Sequence, residues 1–263
     1  MAKTILSANI KGGVGKTTNT VHLAVAAAKS NRNNRILVVD VDPQAHVTFS
    51  FMGKHQFESI HYLDQLFRGS EGYPQPTNES RIDIIPIDEG INEVLESKIF
   101  IQPNWAKNLK KLLSRYQDDY DYIFIDTACS MNKLHTISCI ASDFYITPMK
   151  PEAFSTTGYA KTRTEIEDLK EHMECENPIF LGYFLNGVPN TVRTAVDKIR
   201  TYFTDLEASE AKFEIPLSVE FDNCRWNGKT SIFNYQNETA VKLQDVYKRA
   251  WKKLVQIMES HNE

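Results

Sequence analysis

The chain has 263 residues, 41% hydrophobic and 24% charged, and its 30 basic and 34 acidic side chains give a formal net charge of −4. These proportions lie near the average for globular proteins and exclude collagen-like, disordered and disulfide-scaffold classes. The length is enough to bury one large core, and no composition shift, repeat or low-complexity tract marks a boundary, so residues 1–263 read as a single domain.

Taken in chain order, apolar β-branched runs predict strands at Thr4–Asn9, Arg35–Asp40, Ile82–Ile87, Tyr122–Asp126, Phe144–Pro148 and Ile179–Asn186. Helices are predicted at Thr17–Asn31, Trp105–Tyr116, Thr157–Met173, Asn190–Asp205 and Glu238–Ser260, and the stretch from Gly69 to Ser80 reads as loop. The strands are almost continuously apolar rather than alternating, as strands covered on both sides must be. The fold class that follows is α/β: a mostly parallel, twisted sheet with helices on both faces. The longest uncharged stretch, from Asn177 to Val192, is broken by Gly182, Gly187 and Pro189, so no membrane-spanning helix is expected. The first residues lack the apolar core of a signal peptide, and the expectation is a cytoplasmic protein. Cys129, Cys139, Cys175 and Cys224 are too scattered for a zinc ribbon or a disulfide framework.

The sharpest signal is Lys11-Gly12-Gly13-Val14-Gly15-Lys16-Thr17-Thr18, placed between the first strand and the first helix. The ordinary phosphate-loop pattern has a glycine where this chain has Ile10, but the physical logic survives. Gly12, Gly13 and Gly15 let successive N–H groups turn inward around an anion at a helix N-terminus. Lys16 would reach the β- and γ-phosphates, and the Thr17 hydroxyl would ligate Mg²⁺. Two further strands end in acids: Asp40, followed by Asp42-Pro43-Gln44, and Asp126, followed by Thr127. Ligands of open α/β sheets bind at such carboxyl ends, and Asp126 has the Walker B position for holding Mg²⁺.

With these motifs the chain resembles the deviant-Walker-A P-loop ATPases, the group of ParA, Soj and MinD that also includes the nitrogenase iron protein. Asp-x-Asp-Pro-Gln after the second strand, and Ile215-Pro216-x-Ser218-Val219 followed by Gly228-Lys229, point within the group to ParA-type partition ATPases. The resemblance implies a homodimer that sandwiches ATP and Mg²⁺, with Lys11 reaching the phosphates held by the other subunit. It also implies that Asp40 positions the attacking water and joins Thr17 and Asp126 in the Mg²⁺ site. Val14 and Thr18 would complete the phosphate loop, and Asn186 and Pro216 would hold adenine. Nonspecific DNA and a centromere-binding ParB-like protein are the partners it implies, with the ATP state associated with the nucleoid. A membrane-cycling or cargo-positioning ATPase of MinD type is the alternative.

Charge distribution bears on DNA. From Leu185 to Lys253 there are 11 basic and 9 acidic side chains, whereas residues 1–184 carry 19 and 23. Arg193, Arg200, Arg225, Lys229, Lys248 and Arg249 are the candidate DNA contacts on this mildly basic part. The arginines common in ParA relatives just after Ile-Pro are replaced by Leu217 and Glu220. In the last helix Val241, Val246, Ala250, Leu254, Ile257 and Met258 form a stripe with Tyr247 and Trp251, read as core packing rather than a membrane anchor; the tail after it is acidic. Cys139 does not take the position of a cluster ligand relative to Cys129, so no iron–sulfur site is expected.

Overall fold

The computed structural model describes residues 1–53, 62–129, 132–152, 154–189, 194–202 and 211–261. Its strands are β1 (Lys3–Ser7), β2 (Ile36–Val41), β3 (Gln75–Pro76), β4 (Ile82–Ile85), β5 (Tyr122–Thr127), β6 (Phe144–Met149), β7 (Ile179–Val188) and β8 (Ala211–Pro216). They form one sheet in the order β3-β4-β2-β5-β1-β6-β7-β8, parallel throughout except for the antiparallel β3–β4 pair at one edge. The helices are α1 (Lys16–Ser30), α2 (His46–Met52), α3 (Leu63–Phe67), α4 (Ile91–Glu96), α5 (Asn108–Leu113), α6 (Lys133–Ala141), α7 (Ser155–His172), α8 (Thr194–Tyr202), α9 (Glu220–Trp226) and α10 (Glu238–Ser260). Among the described residues no helix is long and apolar enough to cross a membrane.

Both faces of the sheet are covered, which is why the central strands read as unbroken apolar runs. On one face, Phe124 and Phe184 pack with Leu23, Ala27, Tyr247, Trp251 and Leu254 of α1 and α10. On the other, Leu6, Leu37, Ile123 and Ile125 pack with Leu63, Ile91, Leu109 and Ile137 of α3 to α6. Tyr159 of α7 and Val196 and Ile199 of α8 cover Tyr183 and Leu185 on that second face. Truncating one of these fully buried leucines to alanine costs about 2–5 kcal/mol in cores of this density.

Several elements differ from the sequence expectation. The predicted helix Trp105–Tyr116 is a 3-10 turn at Trp105–Lys107 followed by the short α5, where the Asn108 side chain donates to the Ile99 carbonyl. The predicted Asn190–Asp205 helix is seen as Thr194–Tyr202, the rest lying outside the described residues. The two-residue β3 lies inside the stretch read as loop. On α10 the buried face is centred on Leu243, Tyr247, Trp251 and Leu254, while Val241 turns outward.

A seam of buried polar contacts sets α10 against α1. The Tyr247 hydroxyl donates to Asn19 Oδ1 at 2.8 Å and Trp251 Nε1 donates to Ser30 Oγ at 3.0 Å. His22 lies between them, stacked on Tyr247 and edge-on to Phe221. Its Nδ1 lies 2.6 Å from the Thr18 carbonyl and its Nε2 accepts the Ile232 N–H at 3.2 Å. A carbonyl on one side and an N–H on the other assign the neutral Nδ1–H tautomer, and a second proton would face a donor.

Burial therefore pushes His22 down from its ordinary 6.5 to about 4. Between those values the unfolded chain binds the proton and the folded chain does not, so this contribution is complete above 6.5 and is lost as pH falls toward 4. The stability difference between the wild type and His22→Gln should thus rise with pH by about 1.4 kcal/mol per unit across that window. Urea unfolding at a series of pH values measures it, and a pH-independent difference would refute the assignment.

Candidate nucleotide-binding site

Strand order brings the chemistry together. β1 lies between β5 and β6, and β2 pairs with β5, so the loop after β1 and the acids ending β2 and β5 converge at one carboxyl edge. The loop enters α1 through Gly13 and Gly15, both left-handed at φ 69° and 100°. A Cβ on Gly15 would lie 2.6 Å from Asn186 Nδ2, so this position requires glycine both for its backbone and for space. The first intrahelical bond runs from the Asn19 N–H to the Gly15 carbonyl. The first turn has no acidic residue and Gly15 supplies no side-chain cap, which leaves its N–H groups and the positive end of the helix dipole for an anion.

Lys16 is only 7% exposed and donates to the carbonyls of Asn9 at 3.0 Å and Lys11 at 3.3 Å. Burial lowers its pKa, opposed by the charges of Asp126, Cys129 and Asp42. Asp40 and Asp126 are directly opposite each other in the β2–β5 ladder, and both are completely buried. Asp126 accepts from Thr17 Oγ1 at 2.7 Å and from Thr20 Oγ1 at 3.2 Å. Asp40 accepts from the N–H and hydroxyl of Thr48, each at 2.8 Å, and from the Asp42 N–H at 3.1 Å. Burial raises both acids, Asp40 to about 7 and Asp126 to about 8, the latter pushed further by the charge of Asp40. Two dry carboxylates side by side are an unbalanced negative pair that favours a shared proton or a cation. Hydroxyl and carboxylate oxygens are the hard donors Mg²⁺ takes, and with one or two protein ligands it completes its shell with water and phosphate oxygens. The donor set therefore fits a magnesium-bound polyphosphate.

At the other end of the loop, Asn186 Nδ2 donates to the Val14 carbonyl at 2.8 Å, while Asn186 Oδ1 is buried without a hydrogen-bond partner. Gly13, Thr18, Asn186, Pro216 and Arg225 line a cleft of about 150 Å³ here. A larger groove, of about 700 Å³, lies beside it against Phe49, Trp226 and Lys229, but holds neither the glycine loop nor the acid pair. The small cleft is continuous with the phosphate loop.

Lys11 donates from its side chain to Glu152 at 2.6 Å, and its N–H donates to Asn9 Oδ1 at 2.8 Å. Asn9 in turn donates to the Pro148 carbonyl at 2.7 Å, so the loop is fixed to the end of β6. The structure thus gathers Lys11, Lys16, Thr17, Asp40 and Asp126 at the loop and the adjoining strand ends, while Thr18, Asn186 and Pro216 line the small cleft beside it. Asn9, Thr20, Thr48 and Glu152 join them and were not anticipated. A polar Asn9 after a buried strand is a sequence signal, whereas Thr48 and Glu152 reach the site only through the tertiary return of the chain.

The candidate DNA contacts do not form one surface. Arg193 lies outside the described residues. Arg200 on α8 is clamped by Glu214 through two bonds of 2.6 and 2.7 Å and by Asp197 at 2.9 Å. Lys248 pairs with Asp245 at 3.1 Å. Lys248 and Arg249 sit on α10 and Arg200 on α8, which pack on opposite faces of the sheet. Arg225 lines the small cleft beside the phosphate loop, and with Lys229 it lines the larger groove.

Comparison with known proteins gives a consistent picture. A family model described as an AAA domain matches residues 2–179. The virulence plasmid ParA family protein pGP5-D of Chlamydia psittaci is 29% identical over 247 residues, 91% of this chain and 90% of its own. The sporulation initiation inhibitor protein Soj of Bacillus subtilis is 28% identical over 239 residues, 88% of this chain and 91% of its own. In fold, the chain is similar to the ATP complex of an Asp-to-Ala variant of Cyanothece McdA, with a TM-score of 0.80 at 19% identity over 98% of this chain and 96% of that one.

The glycine loop yields the simplest test. Gly15→Ala should raise the dissociation constant for a fluorescent ATP analogue roughly 10-fold or more while the chain stays folded, because the new Cβ is strained and meets Asn186. Wild-type affinity in that variant would mean that the loop does not close around the ligand in this geometry.

Proposed function

Because this chain is a member of the ParA/Soj family of partition ATPases, we propose that it works as a switch for plasmid or chromosome partition, dimerising around ATP and Mg²⁺. The observation that carries this reading is the buried Asp40–Asp126 pair beside Lys16 and an uncapped helix N-terminus. A cation would balance the acid pair, and a polyphosphate would in turn balance that cation, the Lys16 ammonium and the uncapped N–H groups.

Each residue has a role in this reading. The N–H groups from Gly12 to Thr18 and the Lys16 ammonium bind the phosphates. Thr17 and Asp126 hold Mg²⁺, which supplies charge stabilisation on the phosphate oxygens. Asp40, held by Thr48, orients the attacking water close to that site. Asn186 offers its unpartnered Oδ1 to an amino group such as that of adenine, and Pro216 packs against the ring. Lys11 exchanges its exposed contact with Glu152 for phosphates held by the second subunit, an exchange that costs little because a solvated pair is weak.

The dimer would hold nonspecific DNA and release it when a ParB-like centromere-binding protein stimulates hydrolysis. A dimer would present two copies of any basic patch it uses, and affinity for phosphate backbones grows steeply with the number of contacts. A membrane-cycling role is less well supported, because α10 spends its apolar stripe on the core.

The reading is tested by measuring mass in sedimentation, phosphate release and a DNA gel shift on the same preparation. With Mg²⁺ and ATP the wild type should dimerise, hydrolyse and shift DNA at low salt, and with ADP it should do none of these. Asp40→Ala should lower phosphate release roughly 100-fold and accumulate the ATP dimer. Lys11→Ala should bind ATP but stay monomeric. A DNA shift that is identical with ATP and ADP, or absent in low salt, would discard the DNA switch, and an unchanged hydrolysis rate in Asp40→Ala would discard that residue's role.

A further inference from the structure

Arg225 belongs to a helix that is far from the phosphate loop in sequence, yet its Nη2 donates to Thr18 Oγ1 at 3.0 Å, across 207 positions. Thr18 is in the first turn of α1, where the backbone N–H groups lack intrahelical acceptors. The guanidinium has little other engagement there. Its ion pair with Asp222 is 3.8 Å long and both side chains are more than half exposed, so solvent screens it. A planar group with five donors thus contacts a neutral hydroxyl and keeps most of its charge and donors for another acceptor.

The position of that acceptor follows from the cleft. Arg225 and Thr18 line the same lobe as Asn186 and Pro216, whereas Lys16 and Asp126 do not line it: the Lys16 ammonium turns to the carbonyls of Asn9 and Lys11, and Asp126 to the hydroxyls of Thr17 and Thr20. An independent sign that this lobe takes a ligand is Asn186, 9% exposed, with its Oδ1 lacking a partner and its side chain forming the cleft wall. If the base is at Asn186 and the β- and γ-phosphates are at Lys16, the segment passing Thr18 is the α-phosphate with its ribose. An arginine beside a phosphate makes charge-assisted, geometrically specific hydrogen bonds.

We propose that Arg225 binds the α-phosphate of the nucleotide and thereby docks α9 onto α1 when the cleft is filled. This rests on the nucleotide reading given above, and it gives Arg225 a ligand other than DNA. Because the α-phosphate is common to the diphosphate and the triphosphate, the contact adds affinity in both states rather than telling them apart. Specificity for the γ-phosphate then falls to Lys16 and the metal site.

The test is competition of MgATP, MgADP, AMP and adenosine against a fluorescent ADP analogue, for the wild type, Arg225→Ala and Arg225→Lys. Arg225→Ala should weaken MgATP and MgADP by the same factor, roughly 10-fold. It should also reduce the advantage of AMP over adenosine, which a general loosening of the cleft would leave intact. Arg225→Lys should recover part of the loss, since it restores charge without the fork. The neighbouring Trp226, 88% exposed, supplies a second readout: its emission should respond to MgADP in the wild type and not in Arg225→Ala. Equal affinities of wild type and Arg225→Ala for MgADP, or a loss confined to MgATP, would overturn the assignment while leaving the nucleotide site standing. Failure of the wild type to bind any of the nucleotides would remove the nucleotide reading itself.

Discussion

Three charged side chains, Lys16, Asp40 and Asp126, are buried together at the carboxyl edge of the sheet, and the surrounding structure is organised to keep them there. Removing a charge from water is costly unless hydrogen bonds and partners replace the solvent. Here the replacement is local and specific: Thr17 and Thr20 serve Asp126, Thr48 serves Asp40, and the carbonyls of Asn9 and Lys11 serve Lys16. The two acids remain raised above their ordinary range, so the site is satisfied in hydrogen bonds but not in charge. That residue of unbalanced charge is what a metal and a polyphosphate can use, and it ties the sheet to its chemistry.

Topology makes the juxtaposition possible. With β1 between β5 and β6 and β2 beyond β5, three consecutive strand ends point their loops to one place. A ladder that pairs Asp40 with Asp126 is the direct result of parallel register, since parallel neighbours bring residues at like heights side by side. The α1–α10 seam then fixes the helix whose N-terminus faces the site. Asn19, His22 and Ser30 are all bonded to the C-terminal part of the chain, which ties the phosphate-loop helix to it at three points.

Much of this was legible in the sequence because buried parallel strands leave long apolar runs, and because a glycine loop between strand and helix has few other uses. β2, β5 and β6 fall where the apolar runs place them. β8 was not legible: only Ala211 and Ile215 are buried in it, and its Lys212 and Glu214 conceal the pattern. The short helices α2, α3, α4 and α9 span too few turns to show a helical period. At the site, Asp40 and Asp126 announce themselves as acids ending apolar strands, but Thr48, the partner of Asp40, sits in an unmarked helix eight residues on. Arg225 shows the opposite limit: composition groups it with a basic surface, whereas the fold carries it to Thr18. Charge can be counted from a sequence, but the partner of each charge is decided by packing.

The most direct measurement of whether the buried carboxylates exist to hold a metal–nucleotide pair is an electron paramagnetic resonance titration of Mn²⁺ with ATP, comparing the wild type with Asp126→Asn. ATP-dependent uptake of a single Mn²⁺ per chain in the wild type, lost in the variant, is the predicted result. Equal uptake by both proteins, or no dependence on ATP, would contradict the assignment of Asp126 and the charge balance built on it.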